Sequence, residues 1–271
     1  MNKVQLMLSV ITLLIVASCK KESSKEEKVT CQMTSVTVEL ISSEYTSSST
    51  KNYTYDDKGR ITKMKDDLGN EMSYSYSSNQ IIEESPLIGF NSNYYKGVYK
   101  LDASGKIISA LKTRSLDGET ENSIVKYLYD SDGYLSEIQE TSKDVPVFYY
   151  YSYTNGNLTS IKRTGSADTR TRFTKILYYA KDLAPSDFFA NYKREILNTG
   201  LLKAYFGKAS KNLISVIEEI GSLANYGPSL PSLWVSYDYK KNAEGNVSQM
   251  IENGEIGGIP LTINEFNFNC K

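Results

Sequence analysis

An all-β fold is what the sequence predicts: a strongly curved or barrel-like antiparallel meander of repeated β-hairpins, with one short helix inserted near 186–198. Three observations predict it. A unit of the form Tyr-x-Tyr-Asp, followed by Gly and then Leu or Ile, recurs along the chain. Its copies lie roughly 20 to 30 residues apart, the range in which repeats mark an array of supersecondary units. Tyrosine supplies most of the aromatic material, with 22 Tyr against 8 Phe and a single Trp.

The clearest copy runs from Tyr127 to Ile138. Tyr127 and Tyr129 are two residues apart and share one face of an extended strand. Asp130, Ser131, Asp132 and Gly133 then form a reversing turn, because the Asp side chain can accept from nearby backbone N–H groups and the Gly can take positive φ. A type I turn closed by such a Gly leaves a bulge, and only that register shift lets Leu135 and Ile138 share a face. The same pattern reads Tyr53, Tyr55, Asp56, Gly59, Ile61, Met64; then Tyr99, Leu101, Asp102, Gly105, Ile107, Leu111; then Tyr151, Tyr153, Asn155, Gly156, Leu158, Ile161; then Tyr237, Tyr239, Asn242, Gly245, Val247, Met250. Degenerate forms fall at Tyr74, Tyr76, Asn79, Ile81 and at Tyr205, Phe206, Asn212, Leu213, Val216. A lone hairpin cannot bury its aromatic face, so the copies must pair edge to edge.

Taken in order, 1–18 reads as a processing segment: Lys3 gives the positive end, and Leu6 to Val16 is an apolar run too short for a comfortable membrane span. Val16-Ala17-Ser18-Cys19 resembles the lipobox of bacterial lipoproteins, which implies that Cys19 becomes the lipidated first residue. The alternative is an ordinary signal peptide with Cys19 a leftover thiol. Residues 19–30 are polar, charged and free of aromatics, which makes them a flexible tether. From 31 to 271 no Pro/Gly/Ser-rich linker divides the chain, so one antiparallel β domain is expected. Ser186 as N-cap, Asp187 in the first turn, and Phe188, Phe189, Tyr192 and Ile196 at helical spacing give the helix over 186–198, with Leu201 to Tyr205 adding a further turn. Breakers between Asn225 and Trp234 predict a long irregular loop that holds both Tyr226 and the single Trp, Trp234. These two aromatics are the candidate ligand-binding pair, able to stack on a sugar ring or an apolar ligand; the competing reading has Trp234 opening the next strand and filling core.

If Cys19 carries lipid, Cys31 and Cys270 remain, bracketing the domain as a candidate disulfide, with two free thiols as the alternative. The net charge of −1 and the absence of a basic stripe argue against nucleic acid. With 0 His, Ser-His-Asp and Cys-His catalysis and His-based metal sites are excluded. Asp130 and Asp132 lack the later ligands of a calcium loop and read as a turn, so no metal, cofactor or catalytic residue is assigned. Carboxylates are plentiful, which leaves a carboxylate-based glycan hydrolase as an alternative.

Two resemblances follow from these residues. The Tyr-x-Tyr-Asp unit is similar to the tyrosine-aspartate repeats of Rhs and teneurin shells. The lipobox, the hairpins through Tyr239, the phrase Tyr205-Phe206-Gly207-Lys208 with Asn212-Leu213, and the terminal Phe266-Asn267-Phe268-Asn269-Cys270 together resemble a family of bacterial lipoproteins known as a domain of unknown function with a porin-like fold. That second resemblance implies a strongly curved antiparallel sheet and carries no catalytic residue. The expected protein is a non-catalytic outer-membrane lipoprotein, on the periplasmic side or the cell surface, acting as a ligand-binding or structural module. Its partners would be the membrane, through the lipid anchor alone, and a glycan or envelope protein. A membrane pore is the disfavoured alternative, because Lys126, Lys175 and Lys240 fall inside predicted strands whose faces are both mixed.

Overall fold

The computed structural model describes residues 31–42, 45–86, 94–116, 118–165, 172–184, 200–221, 233–254 and 261–270. Among the described residues the strands are β1 (Cys31–Ile41), β2 (Thr46–Tyr55), β3 (Ile61–Asp66), β4 (Glu71–Tyr76), β5 (Gln80–Pro86), β6 (Tyr94–Leu101), β7 (Ile107–Leu116) and β8 (Glu119–Tyr129). They continue as β9 (Leu135–Ser142), β10 (Val145–Thr154), β11 (Asn157–Gly165), β12 (Arg172–Leu183), β13 (Asn212–Gly221), β14 (Leu233–Lys241), β15 (Val247–Gly254) and β16 (Leu261–Cys270). Each strand pairs with its neighbours in sequence and β16 lies beside β1, so the antiparallel meander closes into a barrel. Across this seam Thr34 Oγ1 donates to the Asn267 carbonyl at 3.2 Å, and Asn267 Nδ2 donates to Ser35 Oγ at 3.1 Å. The expected signal segment (1–18), the tether (19–30) and the helix over 186–198 lie outside the described residues.

The recurring unit builds one device many times. In the turns after β2, β6 and β8 the Asp Oδ1 accepts from the backbone N–H groups two and four residues on: Lys58 and Arg60 for Asp56, Ser104 and Lys106 for Asp102, Asp132 and Tyr134 for Asp130. Asn242 serves the turn after β14, accepting from Asn246 N–H. Gly133, at φ +86°, completes its turn by donating to the Asp130 carbonyl, a conformation that a Cβ would oppose. Register shifts follow in the flanking strands, so Leu135 pairs with Tyr129 while Glu137 pairs with Leu128. The bulge thus puts Leu135 and Ile138 on one face, as the sequence requires. In the copy beginning at Tyr99, the same shift makes Ala110 the inward residue and leaves Leu111 exposed on the outer face, which corrects the expectation for Leu111.

In four of the units the two tyrosines have different tasks. The first fills the barrel interior: Tyr127 and Tyr237 are 5% and 1% exposed. The second reaches back to the strand that opens the preceding hairpin. Tyr55 Oη donates to the Met33 carbonyl, Tyr76 to Ile61, Tyr129 to Ile107 and Tyr239 to Ile214, at 2.5, 2.6, 2.6 and 2.7 Å. This repeated strut satisfies phenols that would otherwise be costly to bury. Tyr129→Phe should therefore lower stability by about 1 kcal/mol, read as a shift in denaturant midpoint at unchanged slope; an unshifted midpoint would show that the strut contributes nothing.

The connections leaving even-numbered strands all lie at one end of the barrel. There the interior is apolar, with Ile61, Ile81, Ile107, Leu135, Leu158, Leu213, Val247 and Met250 buried against one another. The link from β12 to β13 crosses this end. Its 3-10 turn, Gly200–Tyr205, buries Leu202; Tyr205 stacks on Tyr76 with ring centroids 6.1 Å apart, and Phe206 meets Tyr127 edge-on at 5.0 Å. Lys208 N–H donates to the Gly133 carbonyl and Lys211 N–H to that of Gly156, both at 3.0 Å. Tyr205 and Phe206 thus belong to a plug and not to a strand, which corrects the degenerate hairpin expected there: the strand begins only at Asn212.

Candidate functional site

Above the apolar floor the inward face changes character. One cross-strand row runs Ile81, Tyr99, Ala110, Val125, Glu140, and its members from Ile81 to Val125 are buried. The next row away from the floor runs Glu83, Gly97, Lys112, Ser123, Ser142. Glu83, Lys112, Ser123 and Ser142 are only half-buried, as is Glu140, so solvent reaches the interior at this depth. Period-2 alternation along β5, β6, β8 and β9 delivers both carboxylates to the inside of the barrel.

Glu83 is the centre of the arrangement. Its Oε1 accepts from Tyr74 Oη at 2.9 Å, and its Oε2 accepts from Tyr99 Oη at 2.6 Å and Tyr95 Oη at 3.1 Å. The Tyr95 and Tyr99 hydroxyls are 3.2 Å apart, and Tyr74 Oη also contacts Met72 Sδ at 2.8 Å. Beside this group Ser123 Oγ donates to Glu140 Oε1 at 2.6 Å. Burial, and then the negative charge of Glu83, pushes the Tyr74, Tyr95 and Tyr99 phenols far above their ordinary range. For Tyr127 burial comes first and the Glu140 charge second. Both carboxylates face the same interior, and the charge of each acts on the Tyr95 phenol.

Gly97 makes the chamber possible. A Cβ there would lie 2.8 Å from the Tyr99 ring and 3.1 Å from Tyr95 Oη, so both rings fold across a backbone that only Gly leaves open. The sequence reading missed this site because Glu83 sits in Ile82-Glu83-Glu84, which reads as a solvated stretch. The signal was Gly97, interrupting a strand between Tyr95 and Tyr99 without turn partners.

The structure places the sequence-derived candidates elsewhere. Cys19 and Tyr226 lie outside the described residues. Cys31, the first residue of β1, and Cys270, the last of β16, are joined by a disulfide with S–S 2.09 Å and Cα–Cα 4.0 Å. Trp234 is the second residue of β14, opposite Glu218, half-buried, and on the face away from the buried Val235 and Tyr237. Trp234 thus lies in a strand and not in the expected loop, which corrects that expectation, and it points away from the Glu83 chamber. Among the described residues no group of His, Cys, Asp and Glu could hold a metal ion.

No family model and no curated protein matches the sequence. Solved structures do share its fold. A porin-like protein from Bacteroides uniformis superposes with a TM-score of 0.62 at 14% identity, over 88% of this chain and 98% of that one. A porin-like protein from Bacteroides vulgatus gives 0.60 at 15% identity, over 89% and 99%. The porin-like architecture that the resemblance implies is thus the architecture of the barrel.

Proposed function

We propose that this chain is a non-catalytic, lipid-anchored envelope module that holds a ligand inside a one-ended barrel. The observation that carries the reading is the contrast between the two ends of the interior. One is closed by the apolar floor and the latched Gly200–Phe206 segment, whereas polar groups line the accessible depth beyond it. A plugged end opposes conduction. So does the outer face, where Lys126, Lys162 and Lys175 stand exposed among Ile124, Leu128, Phe173 and Leu177 and interrupt any lipid-facing apolar band. In this reading Cys19 carries the anchor at the outer membrane, the membrane is touched through it alone, and the ligand is a glycan or part of an envelope protein. A purely structural role is the competing reading.

Calorimetric titration of the full chain in detergent with a panel of envelope glycans, paired with planar-bilayer recording, tests the proposal. Saturable binding that Tyr95→Phe weakens, without conductance steps, is the expected result. Discrete steps would overturn the closed-end reading, and the absence of any binding would favour the structural role.

The plug makes its own prediction. At Gly207, φ +76°, a Cβ would lie 2.5 Å from the Gly133 carbonyl oxygen and 3.0 Å from the Tyr129 ring. Gly207→Ala should cost about 3 kcal/mol, through left-handed strain and displaced backbone together. Chemical denaturation measures it; a loss below about 1 kcal/mol would mean that the plug moves aside freely.

A further inference from the structure

We infer that the chamber around Glu83 and Glu140 receives a ligand bearing a primary ammonium group. The inference rests on the reading of a one-ended, ligand-holding barrel (a cup) proposed above and names the ligand chemistry of that same site. Its first basis is the direction of the hydrogen bonds. Tyr74, Tyr95 and Tyr99 all spend their protons on Glu83, and Ser123 spends its proton on Glu140. What remains at the phenol and carboxylate oxygens is lone pairs, so the chamber offers acceptors and asks for donors. An ammonium has three donors and no acceptor.

The second basis is charge. Among the described residues neither carboxylate has a Lys or Arg within ion-pair distance, although ion pairs form elsewhere, as between Lys63 and Glu71 at 2.8 Å and Lys96 and Glu84 at 2.7 Å. Two negative charges on one half-buried interior face with no cation paired to them are costly, and an incoming cation relieves that cost. The inward Lys112 stands two strands from Glu83 on the same row, and Arg114, opposite Tyr95, faces inward on the next; neither forms an ion pair with Glu83 or Glu140. The third basis is Gly97, whose missing Cβ leaves room for the two rings that orient hydroxyls onto Glu83.

The same ammonium can sit on an amino sugar or on an aliphatic amine, and matched probes separate the two. The full chain in detergent is titrated by calorimetry with a glucosamine trisaccharide, with its fully N-acetylated counterpart, and with putrescine. Saturable binding of either amine is expected, with the acetylated sugar about tenfold weaker or worse, since one charge-assisted hydrogen bond is lost. Glu83→Gln should weaken the amine about tenfold or more, while Lys112→Gln, which removes the competing cation, should tighten it. Tyr95→Phe keeps the ring and deletes one oxygen, so it tests the site should Glu83→Gln fail to fold. Equal binding of acetylated and free sugar would overturn the ammonium assignment and leave the cup reading standing. Amine binding insensitive to Glu83, Tyr95 and Lys112 would place the ligand elsewhere and overturn it too. Silence from every amine and every envelope glycan would remove both readings.

Discussion

Raising the pH above 10 is expected to unfold the barrel within about one pH unit. Burial drives the phenols of Tyr53, Tyr74, Tyr95, Tyr99, Tyr127 and Tyr151 upward, Tyr53 to about 12 and the others further. An unfolded tyrosine loses its proton near 10, whereas these keep theirs in the barrel, so above that pH the unfolded chain binds fewer protons and stability must fall. Below 10 the contribution is complete. Above it each residue removes about 1.4 kcal/mol per pH unit, and six together remove roughly 8, comparable with the whole stability of a typical domain. Circular dichroism and tyrosinate absorbance followed on one sample should change together near pH 11. Tyrosinate appearing gradually from pH 10 in a barrel that keeps its strands would contradict the enclosure of these hydroxyls.

Reducing the Cys31–Cys270 bond, or replacing both residues by Ser, is expected to lower stability by about 5 kcal/mol. The bond spans 239 residues, and closing so long a loop removes much of the freedom of the unfolded chain. The folded barrel does not depend on it for closure, because strand pairing and the bonds among Thr34, Ser35 and Asn267 hold the seam. The cost should therefore be in the unfolded ensemble, visible as a melting temperature lower by about 10 to 20 °C in reductant with unchanged strand content. An unchanged melting temperature would indicate that the unfolded chain already keeps its ends together.

The local parts of this fold were legible because each is written within a dozen residues. Asp130 and Gly133 specify their turn, and the spacing of Leu135 and Ile138 reveals the bulge. Closure was not legible, since the partnership of β1 with β16 joins stretches that lack the unit and differ in pattern. Tyr205 and Phe206 were misplaced because an aromatic pair ahead of Asn212 imitates the repeat, while their actual neighbours, Tyr76 and Tyr127, are distant in sequence. Glu83 was hidden for a related reason. A charged residue in a strand reads as outward until the tyrosines of two other strands are known to meet it.

The Tyr struts bear on how large the ring is. Each hydroxyl grips only the hairpin before it, Tyr129 holding Ile107 and Tyr55 holding Met33, so no strut measures the circumference. Strand number sets the diameter of a closed sheet, and here the meeting of the first and last strands, together with the plug and floor fitted to one end, fixes that number. A duplicated hairpin would bring its own grip and its own turn, widening the ring by two strands while the existing strand-to-strand partners stay in place and only the plugged end has to be refitted. Barrels of different bore are thus accessible by copying a single unit, with the interior chemistry left to be chosen afterwards.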